Sequence, residues 1–271
     1  MIALGYMLAI FVGFSLGILG TGGAVFTIPI FIYVWHFQDK QAIASGFIIV
    51  VLVGIFSALK HLKDGHINFR LLAVFAPTTM LGTLIGTHFS HYLPGDFQLF
   101  MLAAVMSTSA LLMFMPHPHQ QGVLSTDDEL TPFKVLHSVW FLGLGICVGL
   151  LVGLVGVGGG FLMLSILATL VHVPMRQAIG TALAVAILNA FVGGLSTMQK
   201  TTIPWDRVLS FAAIAILGSV VGACLSSRLS IPKLRKAFAM VLILVAGAIV
   251  CEKVAYFART VPPLSFYMLF K

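Results

Sequence analysis

The chain has 271 residues, of which 59% are hydrophobic and 8% charged, and its mean hydropathy is +1.08. A soluble domain carries about 25% charged residues, so a soluble globular protein is excluded and an all-α polytopic membrane protein is expected. The net charge of +7 does not imply a nucleic-acid partner, because most basic residues fall in short stretches between apolar runs, where they set membrane orientation.

Five apolar segments are expected in a first repeat spanning 1–115, at about 2–19, 24–37, 41–59, 70–89 and 97–115. No Lys or Arg precedes the first, and no small-residue cleavage site follows it before Gly20, so it does not read as a signal peptide. Residues 116–137 are polar and proline-bearing and form a linker. A second repeat over 138–254 carries segments at about 138–155, 160–173, 177–197, 207–227 and 233–253. The tail, 255–271, contains Pro262 and Pro263 and is too polar for another span. A helix needs about 17–25 residues to cross the hydrocarbon. The third, fourth and fifth segments of each repeat meet that. The second is short and separated from the first by glycines, so broken, re-entrant or steeply tilted helices are expected there. Cys147, Cys224 and Cys251 are scattered singly through apolar stretches, which predicts packing roles and neither disulfide nor metal ligation.

The repeats are visible residue by residue. A shift of 136 aligns 13–45 with 149–181 without a gap, and 10 of the 33 positions are identical. Gly13, Gly17, Gly20, Gly22 and Gly23 match Gly149, Gly153, Gly156, Gly158 and Gly159; His36 matches His172; and Gln41-Ala42-Ile43 matches Gln177-Ala178-Ile179. Gly82 and Gly86 match Gly218 and Gly222. A duplicated apolar chain with glycine breaks at corresponding points is the pattern of a transporter whose site lies where the halves meet. If each repeat crosses an odd number of times, Lys60, Lys63, Arg70, Lys134, Arg176, Arg228, Lys233, Arg235 and Lys236 share one side, and Lys40, Lys200 and Arg207 lie opposite. The excess of positive charge on the cytoplasmic side then favours inverted repeats with a cytoplasmic linker. Counting the tail's Lys253, Arg259 and Lys271 removes that contrast.

The candidate substrate-binding residues follow from the breaks. Gly20, Thr21, Gly22 and Gly23, and Gly156, Gly158, Gly159 and Gly160, are expected to unwind or bend the backbone. The N–H groups of the next helix start would then face a gap as an uncharged anion cradle. The alternative is close helix packing at small residues. Gln41 and Ser45, with Gln177 and Thr181, open a second matched pair of helices, and their hydroxyls can donate to an oxyanion. Lys40 and Arg176 precede them and read equally well as interfacial anchors. Asn189, a strong polar group mid-segment, either touches substrate or bonds across helices. His36 and His172 are a repeated titratable pair suited to gating or proton transfer, or simply to an interface. No Asp or Glu lies in the middle of an apolar segment, which argues against carboxylate proton relays and cation sites. No metal site and no cofactor are expected. Motifs for hydrolase nucleophiles, zinc peptidases and nucleotide binding are absent from the sequence, so an intramembrane enzyme is the weaker alternative; a passive anion channel is the closer one.

These residues resemble the sulfite exporter TauE/SafE family of membrane proteins. The family carries a Gly-x-Gly-Gly-Gly loop in each half, a proline a few residues on, and an Ala-x-Gly-Thr-Ser-Leu-like helix start. Gly156–Gly160 and Ala178–Leu183 match it well, and the first half keeps Gly20, Gly22, Gly23 and Pro29. Ala24, Ser165 and Ala182 depart from the pattern. The resemblance implies a multi-pass inner-membrane protein moving sulfite, a sulfonate or a related small sulfur oxyanion, usually outward.

Overall fold

The structure is a computed structural model, and it describes residues 2–19, 25–114, 139–171, 173–226, 236, 239–240 and 242–251. The expectations placed on Gly20, Thr21, Gly22, Gly23, His172, the linker and the tail lie outside the described residues.

Every regular element among the described residues is helical. In chain order they are α1 Ile2–Leu19, α2 Thr27–Tyr33, α3 Asp39–Lys63, α4 Phe69–Ser90, α5 Gly95–Phe114, α6 Val139–Val155, α7 Gly160–Thr169, α8 Met175–Met198, α9 Trp205–Ser226 and α10 Leu242–Cys251. Five of them, α3, α4, α5, α8 and α9, are long and apolar enough to cross a membrane. The short helices fall where the glycine breaks predict them. At about 1.5 Å per residue, α2 with 7 residues and α7 with 10 cannot traverse a hydrocarbon core of about 30 Å.

Local chemistry sets the ends. Gln38 and Gln41 form a reciprocal capping box at the start of α3. The Asn68 side-chain oxygen accepts from the Arg70 and Leu71 N–H groups at 3.1 and 3.2 Å, opening α4. Helix α2 stops through the Phe37 N–H, which donates to the Phe31 carbonyl at 2.9 Å, and α7 stops through the equivalent Val173-to-Leu167 bond at 3.0 Å. This wide return is a helix-ending turn that needs one left-handed residue.

Two helix pairs organise the molecule, and each joins one half to the other: α1 packs along α9, and α4 along α6. Gly13 and Gly17 lie against the backbone of Ala215 and Ser219, while Gly149 and Gly153 lie against Thr79 and Thr83. These contacts are the same contacts displaced by 136 residues with the halves exchanged. Gly82 and Gly86 meet Ile146 and Leu150, just as Gly218 and Gly222 meet Ile10 and Phe14. In both pairs residue numbers rise together, so the partners run parallel. A Cβ at any of these glycines would collide with backbone, and small residues spaced four apart let membrane helices approach closely without a hydrophobic drive. Between the pairs, α3 crosses α8 in the opposite sense: Phe47 meets Gly193 and Gly194, and Gly54 meets Leu183 and Ile187.

The fully buried Phe31, Phe47, Phe75, Phe161 and Phe211 mark the core. The outer surface is equally apolar, with Met7, Leu81, Phe89, Phe191, Leu217 and Leu244 all more than half exposed. A water-soluble monomer does not present such a surface; a lipid-facing one does. Cys147, Cys224 and Cys251 form no disulfide and lie exposed on helix flanks, and not in the buried core.

Candidate functional site

The described glycine run is a tight left-handed turn. Gly156, Gly158 and Gly159 have φ of 84°, 67° and 68°, a region that side chains with a Cβ enter at a cost. The turn ends at Gly159, the N-cap of α7, which brings no side chain to satisfy the first-turn N–H groups. Gly160 opens the helix. Residues 156–160 are buried.

The neighbours of this turn come from both halves. A Cβ at Gly156 would strike Ile43, and one at Gly158 would press on Val50, Ala186 and Ala190. A Cβ at Gly46 would press on the Gly156 carbonyl, and the Cβ position of Gly159 is filled by Val152 of its own half. The turn therefore sits at the α3–α8 crossing. At Gly156 and Gly158 it lies against Ile43 and Val50 of α3, which take the space a side chain would need.

The matched helix starts behave differently. On α8, Gln177 is partly buried and Thr181 fully buried. The Asn68 backbone N–H donates to Thr181 Oγ1 at 3.0 Å, and Gly180 lies against the His66 carbonyl. On α3, Gln41 Oε1 accepts from the Gln38 N–H at 3.4 Å, and its amide donates to Thr202 Oγ1 at 3.3 Å. Ser45 is fully buried, and its hydroxyl has no hydrogen-bond partner. The residue 136 positions after Asn68 is Pro204, which has no N–H to donate. The duplication thus gives Thr181 a donor and leaves Ser45 without the equivalent one.

Asn189 is 1% exposed, and Thr79 Oγ1 lies 2.9 Å from its Oδ1. Of the two readings from sequence, the structure gives it a bond across helices, joining α4 of the first half to α8 of the second. His36 is exposed and adopts φ 54°; it is the left-handed residue of the turn that ends α2. That place makes His36 a helix stop.

Sequence reasoning missed a polar recess lined by Lys40, Ile43, Ser90, His91, Gln98, Thr197 and Thr201. Lys40 Nζ donates to the His91 carbonyl at 3.0 Å. Gln98 is 1% exposed, and its amide nitrogen lies 2.7 Å from both the Ser90 carbonyl and Ser90 Oγ. Burial, then the charges of Lys200, Lys40 and His88, hold His91 below the ordinary histidine range. The one available signal was Gln98, an amide in an otherwise apolar run. On the opposite end of α3, Lys60 Nζ pairs with Asp64 Oδ1 at 2.9 Å. That bond holds the Asp64 carboxyl below its usual range. No cluster of His, Cys, Asp or Glu suited to a metal ion occurs among the described residues.

Apolar helices throughout the described residues, with short α2 and α7 at matched places, glycine-packed cross-half pairs and a buried glycine turn, define a multi-pass membrane protein of transporter type. The profile of the sulfite exporter TauE/SafE family matches residues 6–249, and the chain belongs to that family. A "Probable membrane transporter protein" of Xylella fastidiosa (strain Temecula1) is 27% identical over 244 residues, covering 87% of this chain and 89% of its own. One of Haemophilus influenzae is 28% identical over 253 residues, covering 86% and 92%. The "Probable membrane transporter protein YunE" of Bacillus subtilis is 24% identical over 253 residues, covering 87% and 92%. No solved structure matches the chain. The protein is a membrane transporter, like these relatives, and not an enzyme.

Proposed function

We propose that the protein is a secondary transporter of small anions in the cell inner membrane. Its cargo is sulfite, an organosulfonate or a related sulfur oxyanion, moved outward by alternating access. The observation that carries this reading is the buried Gly156–Gly160 turn. Its uncapped helix start lies between α3 of one half and α8 of the other, and the positive end of a helix favours negative charge. The family's name supplies the sulfur chemistry.

The registers support inverted repeats. Since α3 and α8 are equivalent helices running oppositely, an odd number of crossings per half separates them, with the linker cytoplasmic. The bodies that move are not the two sequence halves. Helix α1 is interlocked with α9, and α4 with α6, so rocking carries each interlocked pair as a unit past the α3–α8 crossing. Ile43 and Val50 lie against the glycine turn, and a shift of α3 against α8 would open it to an anion.

The test is counterflow in proteoliposomes loaded with sulfite and challenged in turn with sulfite, sulfate, thiosulfate, sulfoacetate and a carboxylate. Saturable exchange restricted to sulfur oxyanions supports the proposal. Unitary currents without counterflow would replace the carrier with a channel, and exchange of carboxylates alone would overturn the cargo.

A further inference from the structure

The recess at the start of α3 is chemically distinct from the glycine turn: it holds cations and buried polar atoms where the turn offers backbone N–H groups. We propose that this recess binds a small oxyanion that still carries a hydroxyl, of the hydrogensulfite or hydrogenphosphate class, as a docking site at the membrane face. The proposal rests on the anion-transport reading and adds to it a site of entry or release.

Gln98 carries the argument. Its amide nitrogen must face Ser90, because the Ser90 carbonyl at 2.7 Å can only accept. The amide orientation is therefore fixed, and Oε1 is left buried with no donor. His91 Nε2, also buried, has no partner either. A buried acceptor without a donor is costly, so the recess favours a guest with a hydrogen to give. The surroundings select for negative charge. Lys40 lines the recess, and Lys200 lies close enough to depress the His91 imidazole. Among the described residues neither ammonium pairs with a carboxylate. The nearest acidic side chain in sequence, Asp39, is turned toward Gly95 at the start of α5. The Thr197 hydroxyl is already committed to the Gly193 carbonyl at 2.9 Å, which leaves Thr201 as a free hydroxyl on the rim.

A hydroxylated oxyanion answers both demands: its charge meets Lys40 and Lys200, and its O–H donates to Gln98 Oε1. Sulfate brings the charge without the hydrogen, and so does the phosphodiester of a lipid headgroup. That difference separates the proposed guest from a bound lipid.

The test uses the full chain in phosphatidylcholine nanodiscs, titrated by calorimetry with inorganic phosphate and with sulfate, alongside sulfite counterflow on the same preparations. Phosphate should bind at least about tenfold more tightly than sulfate. Gln98→Met should remove that preference, and Lys40→Gln or Lys200→Gln should each weaken both anions about tenfold. Monodispersity and an unchanged melting temperature establish that each variant is folded. Equal binding of phosphate and sulfate, or a preference that survives Gln98→Met, overturns the proposal while counterflow continues. So does loss of phosphate binding when phosphatidylglycerol replaces phosphatidylcholine, because a lipid then owns the recess. Absence of counterflow with any oxyanion instead removes the transport reading beneath it.

Discussion

The two ends of the α3–α8 crossing are built from matched residues and finished differently. At the end where α8 begins, Thr181 accepts the Asn68 N–H, and Lys60 is neutralised by Asp64. At the end where α3 begins, the same positions are Ser45, Pro204, Ser196 and Lys200. The hydroxyl loses its donor, a serine replaces the lysine, and a lysine replaces the carboxylate. The trade is not uniform, since buried His61 has both ring nitrogens unpartnered, whereas its counterpart Thr197 is bonded to Gly193. The lesson is that duplication supplied the scaffold twice, and divergence removed the donor to the matched hydroxyl and put Lys200 where the other end has Asp64. That end is the one the proposed anion would favour.

The largest effect is expected where the ends are alike. Gly13→Leu and Gly149→Leu would each drive a side chain into backbone of the partner helix, at Ala215 and Thr79. Overpacking costs about 1–3 kcal/mol or more, and here backbone cannot yield as a side-chain tip can. Both variants should lose folded yield in detergent by comparable amounts, as read by size-exclusion chromatography. A large loss for one and none for the other would break the equivalence of the two helix pairs.

Next comes the hydroxyl pair. Thr181→Val strands the Asn68 N–H and should cost about 1–3 kcal/mol, seen as a lower thermal midpoint. Ser45→Ala removes a hydroxyl that has no partner and should leave the midpoint within about 0.5 kcal/mol of the parent, while sulfite counterflow falls if Ser45 meets the anion. Equal destabilisation by both would show that Ser45 is bonded after all. A Gly158→Ala change, at φ 67° and against Val50, should abolish counterflow while insertion persists.

A charge transplant sharpens the electrostatic half of the comparison. Ser196→Lys with Lys200→Asp would install at the open end the i,i+4 pair that Lys60 and Asp64 make at the other. Counterflow should fall several-fold with little change in thermal midpoint, since exposed pairs of this kind contribute little to stability. Undiminished counterflow would mean that the cation at 200 plays no part in anion handling.

Much of this architecture was readable before any coordinates. Clustered glycines announced the short helices, because that feature is local in sequence, whereas glycines four apart showed only as a repeat and not as packing across the halves. What stayed hidden was which glycines face a partner helix and which bend the chain: Gly153 packs on Thr83, while three positions on Gly156 turns the backbone. His36 and His172 drew notice as titratable groups, yet the geometry at 36 is a backbone requirement. The recess escaped because Lys40, Ser90, Gln98 and Thr197 come from four separate stretches that only tertiary packing brings together. Pro204 is plain in the sequence, but its meaning depends on knowing that Asn68 donates to Thr181.

The smallest effect belongs to the neutralised end. Asp64 is held below its ordinary range chiefly by its bond to Lys60. A depressed carboxylate contributes stability above its unfolded pKa and loses it as pH falls through the lower, folded value. Asp64→Asn should therefore lower the thermal midpoint slightly at neutral pH, and the difference from the parent should vanish once acid has protonated both folded and unfolded forms. Because the pair is open to water and screened, added salt should shrink the difference as well. A gap that widens in acid would reverse the sign and place the control of Asp64 in burial and not in Lys60. The supposed contrast with Lys200 would then lose its electrical basis, since the end called neutral would owe nothing to its ion pair.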